Sequence, residues 1–301
     1  MNIGQKIKMI RTEKLMTQKE LTGGVITRNM LSQIENGSAN PSLSTVLLIA
    51  ERLGVPAGYL LSDGAEEFVY NKTRVMKNIK RAYSDRNFEL CREMCLISFD
   101  EFDDELELIL TDCCVGASVE YIKAGKLRLA CAMLDEAIRH SKNTIYPTVT
   151  QLNRAYLMFY LLKKISPSLD SDEIDTEISG DLLHPSLFGD VFCKYVTVVF
   201  GGDEEADIDE LMFNSSEVMS DEDKLYIAHI RARRYMQGGE FKKASVTLRS
   251  IMDGETVPQR LLLYICCVDI ERCYKELEDY KGAYEFAGNK MEILEHMLSE
   301  V

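Results

Sequence analysis

Apolar residues recur at helical spacing along almost the whole chain. A stripe of isoleucines predicts a helix over about residues 2–14, and a second stripe predicts another over 43–53, after the turn-rich NGSANPS. A short helix follows from Pro56, since proline is favoured in a first helical turn. From Glu66 onward the periodicity continues, without the alternation typical of strands. The pattern therefore predicts an all-α protein.

Residues 17–37, TQKELTGGVITRNMLSQIENG, predict two short helices around a sharp turn. The first helix covers about 17–22, and Gly23 and Gly24 supply a break in which positive φ angles cost little. The second helix opens at Thr27, whose hydroxyl can cap the free backbone amides of the first turn.

The second of these helices separates its polar and apolar residues onto opposite sides. Leu31 and Ile34 lie on the apolar side, and we expect Val25 and Leu21 beneath them. The polar arc is formed by Arg28, Asn29, Ser32 and Gln33. These side chains match the donors and acceptors that base edges present in the major groove of DNA. The helix is therefore predicted to recognise base sequence.

Residues 3–61 resemble the phage-repressor/Cro (XRE) family of helix-turn-helix DNA-binding domains. The resemblance rests on the TQKEL start of the motif, the IENG end of the recognition helix, the PSL start of the fourth helix and the final LGVPAGYLL. The turn GGVIT departs from the family pattern, because it is about one residue shorter.

By position, the resemblance implies that the ends of the motif contact phosphates and that the polar arc faces bases. The implied DNA-contacting set is Gln18 and Asn36 on phosphates, Thr27 at the helix start, and Arg28, Asn29, Ser32 and Gln33 on bases. The resemblance also implies a structural ion pair between Arg11 and Glu35.

Charge divides the chain into two parts. Residues 1–62 carry seven basic and four acidic side chains, a net charge of +3, whereas the whole chain of 301 residues carries −14. Residues 63–301 therefore carry −17. A phosphate backbone attracts the first part and repels the second, so only the amino-terminal part is expected to touch double-stranded DNA.

The nine cysteines form no Cys-x-x-Cys motif and are odd in number, which favours reduced, buried thiols. Cys91 and Cys95 could share a metal ion, but no histidine stands at ligand spacing to them, so no metal and no cofactor are predicted. No apolar run approaches the ~20 residues of a membrane helix, and no signal peptide precedes the first helix. We expect a soluble, cytoplasmic protein.

The acidic remainder contains internal repeats. Residues 121–138 and 235–252 share an aromatic residue, a glycine, a large apolar residue, an alanine and a leucine at the same spacings. Residues 274–287 are a third copy with Glu278 at the glycine position, and a weaker fourth copy has Cys91 in the small position after Phe88. The order resembles that of tetratricopeptide repeats, with generic helical hairpins as the alternative. The small-residue positions are 91, 130, 244 and 283, and their intervals predict two degenerate helix pairs between about 148 and 220. Segments 166–181 and 201–207 are the expected connections.

A repressor-like head followed by an acidic helical-repeat body resembles the RRNPP-type bacterial receptors for small signalling peptides, which act in quorum sensing. The resemblance implies a homodimer and a short peptide bound on the concave face of the array. The candidate ligand-binding residues are Gln151, Asn153, Arg154, Tyr226, His229, Arg233 and Arg272. Salt-bridged solvation of helix faces is the alternative for each of them.

We therefore predict a helix-turn-helix domain over 1–62, a linker over 63–69, and a tetratricopeptide-like α-solenoid over 70–301. The predicted function is a dimeric DNA-binding transcription regulator that recognises an inverted-repeat operator. The alternative is an interaction scaffold, in which the array binds a partner protein and the head only localises it to DNA. No enzyme is predicted, because no nucleophile elbow, phosphate-binding glycine loop or HExxH motif is present.

Overall fold

The computed structural model describes residues 1–62, 65–171, 173–174, 187–201 and 220–299. Within these ranges the chain forms fifteen helices and no strand. The all-α prediction is therefore confirmed. The chain divides into two compact units: the first comprises Met1–Arg81 with Ile97–Phe99, and the second comprises Ala82–Leu96 with Asp100–Val301. We call them the head and the body.

The head begins with five helices whose ends follow local sequence signals. They are α1 (Ile3–Glu13), α2 (Gln18–Thr22), α3 (Arg28–Glu35), α4 (Leu43–Leu53) and α5 (Ala57–Leu61). Asn2 and Thr17 each form a capping box with the residue three positions later, and the side chain of Ser42 caps α4. Gly54 ends α4 in the left-handed conformation, with φ of +61°.

One apolar core joins these five helices. Its fully buried members include Ile7 and Ile10 of α1, Leu31 of α3 and Leu53 of α4. Tyr70 packs on the same core from the next helix, and its ring stacks on that of Tyr59 with centroids 3.8 Å apart.

Ten further helices follow. They are α6 (Ala65–Ser84), α7 (Phe88–Ser98), α8 (Asp104–Ala124), α9 (Leu127–Ser141), α10 (Val149–Ile165), α11 (Val191–Phe200), α12 (Asp221–Gln237), α13 (Phe241–Met252), α14 (Arg260–Glu276) and α15 (Tyr280–Ser299). Helix α6 belongs to the head as far as Arg81 and to the body from Ala82 onward.

The body is built from helical hairpins, as the repeats predict. Helices α8 and α9 pack together, as do α12 with α13 and α14 with α15. The small residues of the repeat pattern lie at the buried contacts of the second helix of each pair: Cys91, Ala130 and Ala244 are fully buried, and Ala283 is 4% exposed. A small side chain there lets two helices approach closely.

The last hairpin of the body also packs on α8 and α9. Helix α14 contacts α8, α15 contacts α9, and Arg128 Nε donates a hydrogen bond of 2.7 Å to the carbonyl of Leu298. One large core cluster therefore runs through all eight helices from α8 to α15. In an open solenoid each repeat contacts only its neighbours; this contact between distant repeats was not predicted.

Some predictions fall on residues outside the described ranges. Residues 202–207 of the acidic segment lie there, as do residues 172 and 175–181 of the connection 166–181 and parts of the two degenerate pairs expected between 148 and 220. In the described part of that region, α10 and α11 pack against each other. All nine cysteines are buried, and none of them forms a disulfide with a described residue. No helix in the described residues has both the length and the apolar character needed to cross a membrane.

Candidate nucleic-acid interface

The turn between α2 and α3 depends on its two glycines. Gly23 and Gly24 have φ of +51° and +84°, and Gly23 caps the end of α2. The guanidinium of Arg52 closes the same helix end, because its Nη1 donates hydrogen bonds of 3.1 and 3.2 Å to the carbonyls of Glu20 and Leu21. The turn predicted from the sequence is confirmed.

Helix α3 begins at the predicted cap and is anchored by its apolar side. The Thr27 hydroxyl accepts a hydrogen bond of 3.1 Å from the Met30 amide, and Leu31 and Ile34 are fully buried. The expectation for Val25 is wrong, since its side chain is 66% exposed. Ile26 packs on the core in its place, because the two glycines turn the chain so that position 26 faces inward.

The opposite side of α3 is polar and open to solvent. Thr27, Arg28, Asn29, Gln33 and Asn36 are exposed, and Ser32 is half-buried. Within the described residues, the side chains of Asn29 and Gln33 make no hydrogen bond with other protein groups. Their amides are therefore available to an outside partner, and Asn and Gln amides can pair bidentately with adenine in the major groove.

Four side chains link α1, α2 and α3 behind this surface. Arg11 Nε and Nη2 donate hydrogen bonds of 2.7 and 3.2 Å to the Glu35 carboxylate, which confirms the predicted ion pair. Gln18 Nε2 donates a hydrogen bond of 2.8 Å to the same carboxylate, and Gln18 Oε1 accepts one of 3.3 Å from Arg28 Nε. The two hydrogen bonds of Gln18 were not predicted from the sequence. One of them connects Gln18, which is assigned to phosphate, with Arg28, which is assigned to bases.

A close approach of two backbones fixes the far end of the recognition helix. A Cβ atom on Gly4 of α1 would lie 1.8 Å from the carbonyl oxygen of Ile34. Only glycine permits this approach, so α1 holds the carboxyl end of α3 in one position.

Three ligand candidates of the body lie in a buried polar network. His229 is fully buried, with Nδ1 3.1 Å from the Tyr195 hydroxyl and Nε2 3.0 Å from the Asp269 carboxylate. Arg233 donates to the same carboxylate through Nε at 2.6 Å and Nη2 at 3.2 Å, and through Nη1 to the carbonyl of Val199 at 2.8 Å. Tyr226 is 2% exposed.

The network shifts the pKa values of its members. Burial lowers the pKa of His229, more than the neighbouring Asp269 raises it. Burial alone would raise the pKa of Asp269, but its bonds with His229 and Arg233 bring that pKa below its usual value. The neutral imidazole and the ionised carboxylate are therefore the favoured forms.

The other four ligand candidates lie on α10 and α14. Gln151, Asn153 and Arg154 lie half-buried on α10, and Arg272 is exposed on α14. Arg154 Nη2 lies 3.7 Å from the Asp190 carboxylate, while its buried Nε finds no hydrogen-bond acceptor within the described residues. The structure thus places three of the seven candidates on α12 and four on α10 and α14. Tyr226 and His229 are buried, whereas Arg233 and Arg154 are about equally exposed, at 30% and 27% of their side chains.

Comparison with known proteins gives a family match for the head. Residues 7–60 match the helix-turn-helix family HTH_3. Over 64 residues the chain is 38% identical to the immunity repressor protein of Bacillus phage phi105. The aligned segment covers 21% of this chain and 44% of that repressor. Over 97 residues it is 28% identical to the cryptic phage CTXphi transcriptional repressor RstR of Vibrio cholerae, covering 31% of this chain and 87% of RstR. The chain therefore spans less than half the length of the phi105 repressor.

Two solved structures are similar over almost the whole chain, at low scores. PlcR of Bacillus thuringiensis, in complex with the peptide PapR7 and DNA, is 14% identical with a TM-score of 0.26, covering 99% of this chain and 96% of PlcR. The apo form of the competence regulator ComR from Streptococcus vestibularis is 18% identical with a TM-score of 0.28, covering 97% of each chain. Scores this low do not establish a common arrangement. The motif geometry and the family match identify residues 7–60 as a helix-turn-helix domain similar to those of phage repressors.

Proposed function

We propose that this protein is a sequence-specific DNA-binding transcription regulator. The observation that carries the proposal is the polar face of α3, where Asn29 and Gln33 are exposed and form no side-chain hydrogen bond with any described residue, while Leu31 and Ile34 anchor the helix to the core. A second, "recognition" helix held in this way enters the major groove in helix-turn-helix proteins.

The distribution of charge supports the same proposal. Residues 1–62 carry +3 and residues 63–301 carry −17, so the electrostatic field of the molecule attracts the helix-turn-helix part to a polyanion and repels the rest of the chain from it. Non-specific contacts to phosphate are salt-dependent, so we expect the affinity for any DNA to fall steeply as salt rises.

We further propose that two copies act together through the body. Helix α15 carries Tyr280, Tyr284 and Met291 on one face, with 69%, 84% and 51% of their surfaces exposed. These residues recur at helical spacing and form an apolar stripe that a second copy can cover. Two recognition helices would then bind half-sites about 34 Å apart, or a multiple of that distance.

The dimer proposal is tested by the mass of the full chain in solution. We expect a dimer at micromolar concentration by light scattering, and a monomer after Tyr284→Glu with Met291→Glu, since a charge on each would be buried unpaired. Val257→Glu, at an equally exposed residue outside the stripe, is the matched control and should leave the dimer intact. A dimer that survives the double substitution would place the interface elsewhere.

The body is proposed to bind a short peptide through the accessible face of α10. Gln151 and Arg154 lie three residues apart on that helix and share a face, and the guanidinium of Arg154, with 27% of the side chain exposed, can take a further acceptor at its Nη atoms. A peptide carbonyl or carboxylate would supply one. The buried Tyr226 and His229, together with Arg233, would instead hold the shape of the body.

Native mass spectrometry of the full chain, purified from its natural host, tests the peptide proposal. We expect a peptide adduct on the wild type, loss of the adduct in Arg154→Ala, and its retention in Arg231→Ala, at an exposed arginine of α12. An adduct retained in Arg154→Ala would overturn the assignment.

Binding to DNA itself is tested by selecting a preferred sequence from random duplexes with the full chain. A regulator yields one enriched motif with inverted symmetry. If no sequence is enriched, the head only localises the molecule and the body acts as a scaffold for a partner protein.

A further inference from the structure

Side chains of three metal-ligating types meet between α8 and α9 of the body. Cys114, Glu136 and His140 each offer one ligand atom, and these atoms lie within 4.8 Å of one another. Cys114 is fully buried, and the side chains of Glu136 and His140 are 15% and 13% exposed. Ligands about 2.0–2.3 Å from a zinc ion lie about 3.5 Å apart in a tetrahedron, so small side-chain rotations would close the set.

The imidazole of His140 is oriented as metal-bound histidines are. Its Nδ1 lies 2.5 Å from Glu107 Oε2, and its Nε2 faces Glu136 Oε1 at 3.6 Å. A metal-ligating histidine almost always gives its other ring N–H to a carboxylate or carbonyl. Asn143 Nδ2 approaches the second oxygen of Glu107 at 3.4 Å, which fixes that carboxylate.

Arg92 of α7 holds the remaining carboxylate. Its Nε and Nη2 donate hydrogen bonds of 2.9 and 2.7 Å to Glu136 Oε1 and Oε2. Each carboxylate oxygen has two lone pairs, so Glu136 can accept from Arg92 and still coordinate an ion through one oxygen. Arg92 therefore orients Glu136, and its positive charge contributes to the net charge of the cluster.

That balance favours exchange of protons for a divalent ion. The guanidinium of Arg92 and the carboxylates of Glu107 and Glu136 sum to −1 around the thiol and the neutral imidazole. A coordinating thiolate and one divalent cation together bring this sum to zero. A half-buried cluster can therefore accept the ion without gaining net charge, which would be costly to bury.

We propose that Cys114, Glu136 and His140 form a binding site for a divalent transition-metal ion of the zinc class, with Glu107 and Arg92 positioning the ligands. A thiolate, an imidazole and a carboxylate form a borderline-soft set that suits Zn²⁺ or Co²⁺ and disfavours Mg²⁺ and Ca²⁺. The bound ion would lock α8 to α9. Sequence analysis overlooked the site because its cysteine and histidine are 26 positions apart in the chain.

Titration of the full-length, reduced protein with Co²⁺ tests the site, because thiolate coordination produces an absorption band that oxygen ligands do not. We expect one Co²⁺ per chain with this band, displacement by Zn²⁺, and release of protons on binding, measured as the dependence of binding heat on the buffer. Cys114→Ser should abolish the band, and His140→Gln should weaken binding by more than tenfold. Glu107→Gln should cost about 10–100-fold, as loss of a group that orients a ligand does.

Cys131→Ser is the matched control, because this cysteine lies on α9 and is nearly as buried but stands outside the set. The Cys131→Ser variant should show the same thiolate absorption band and the same affinity for Co²⁺ as the wild type. Circular dichroism should show that every variant is folded. The proposal is overturned if the wild type shows no thiolate band, or if folded Cys114→Ser and His140→Gln bind Co²⁺ as the wild type does, which would place the metal on other thiols.

Discussion

At the scale of single residues, two buried carboxylates organise the polar contacts of this protein. Glu35 accepts from Arg11 and Gln18 in the head, and Asp269 accepts from His229 and Arg233 in the body. Each carboxylate is almost entirely removed from water, so each needs its partners in place. Removing one partner of either carboxylate leaves a buried charge without its counter-charge or its hydrogen bond.

Glu35→Ala should therefore destabilise the head strongly. The substitution strands the Arg11 guanidinium, whose side chain is 12% exposed, and we expect a loss of about 3 kcal/mol in the free energy of unfolding. Glu13→Ala is the control, since its ion pair with Arg74 is half open to solvent and should change stability by less than about 0.5 kcal/mol. Urea unfolding followed by circular dichroism measures both, and equal losses would contradict the account.

His229 makes the stability of the body depend on pH. Burial lowers the pKa of this histidine in the folded state, so the unfolded chain takes up its proton first, near its ordinary value of about 6.5. The contribution of His229 to the free energy of unfolding is complete above that pH. It is lost as the pH falls below that value, by up to about 1.4 kcal/mol per pH unit. We expect His229→Gln to flatten the slope between pH 7 and pH 5, and His296→Gln, at an exposed histidine, to leave it unchanged. A wild-type slope retained in His229→Gln would refute the assignment.

The sequence predicts residues whose signal is local, and it misses those whose partners are distant. The pair of Arg11 with Glu35 follows from a motif, whereas the network of His229 joins α11, α12 and α14. The wrong expectation for Val25 has a local cause. If the turn is one residue longer or shorter, the next residue along the chain faces inward instead. Positions 25 and 26 are both apolar, so their pattern does not distinguish them.

At the scale of helices, the position of the recognition helix depends on one glycine of a different helix. Gly4 lies so close to the Ile34 carbonyl that an added methyl group would meet backbone, which cannot rotate away. Gly4→Ala should therefore push α1 from α3 and cost about 3 kcal/mol, at the upper end for overpacking. Gly24→Ala has open space around its Cβ but keeps φ of +84°, so it should cost only about 1–2 kcal/mol. Thermal unfolding ranks the two, and the reverse order would contradict the close approach.

Helix ends in the head were predictable because caps and glycines mark them. Thr27, Ser42 and Gly54 stand where the sequence places them. The contact of α14 with α8 was not predictable, since about 140 residues separate the two helices and neither carries a local signal of the other. Periodicity predicts which face of a helix is buried but not which neighbour buries it.

At the scale of the whole molecule, the head and the body have separate cores. The core cluster of the body includes no buried residue before Cys114, and that of the head includes none after Leu60. Stability of a helical array is the sum of contacts between its own helices. We therefore expect the body to fold without the head.

Deletion of residues 1–64 tests this expectation. The remaining chain should stay soluble, dimeric and helical by circular dichroism. It should lose all affinity for DNA, because its net charge is negative. A general loss of helicity, rather than loss of the head alone, would show that the two parts fold together.

The central claim, that the exposed face of α3 recognises base sequence, is tested most directly by paired titrations at one salt concentration. Each variant is titrated with the selected operator and with a scrambled duplex. We predict that Asn29→Ala and Gln33→Ala cost about 1–3 kcal/mol on the operator and much less on the scrambled duplex. Gln18→Ala should weaken both more evenly, since that residue is assigned to phosphate. If Asn29→Ala and Gln33→Ala instead lower both affinities equally, α3 does not recognise sequence.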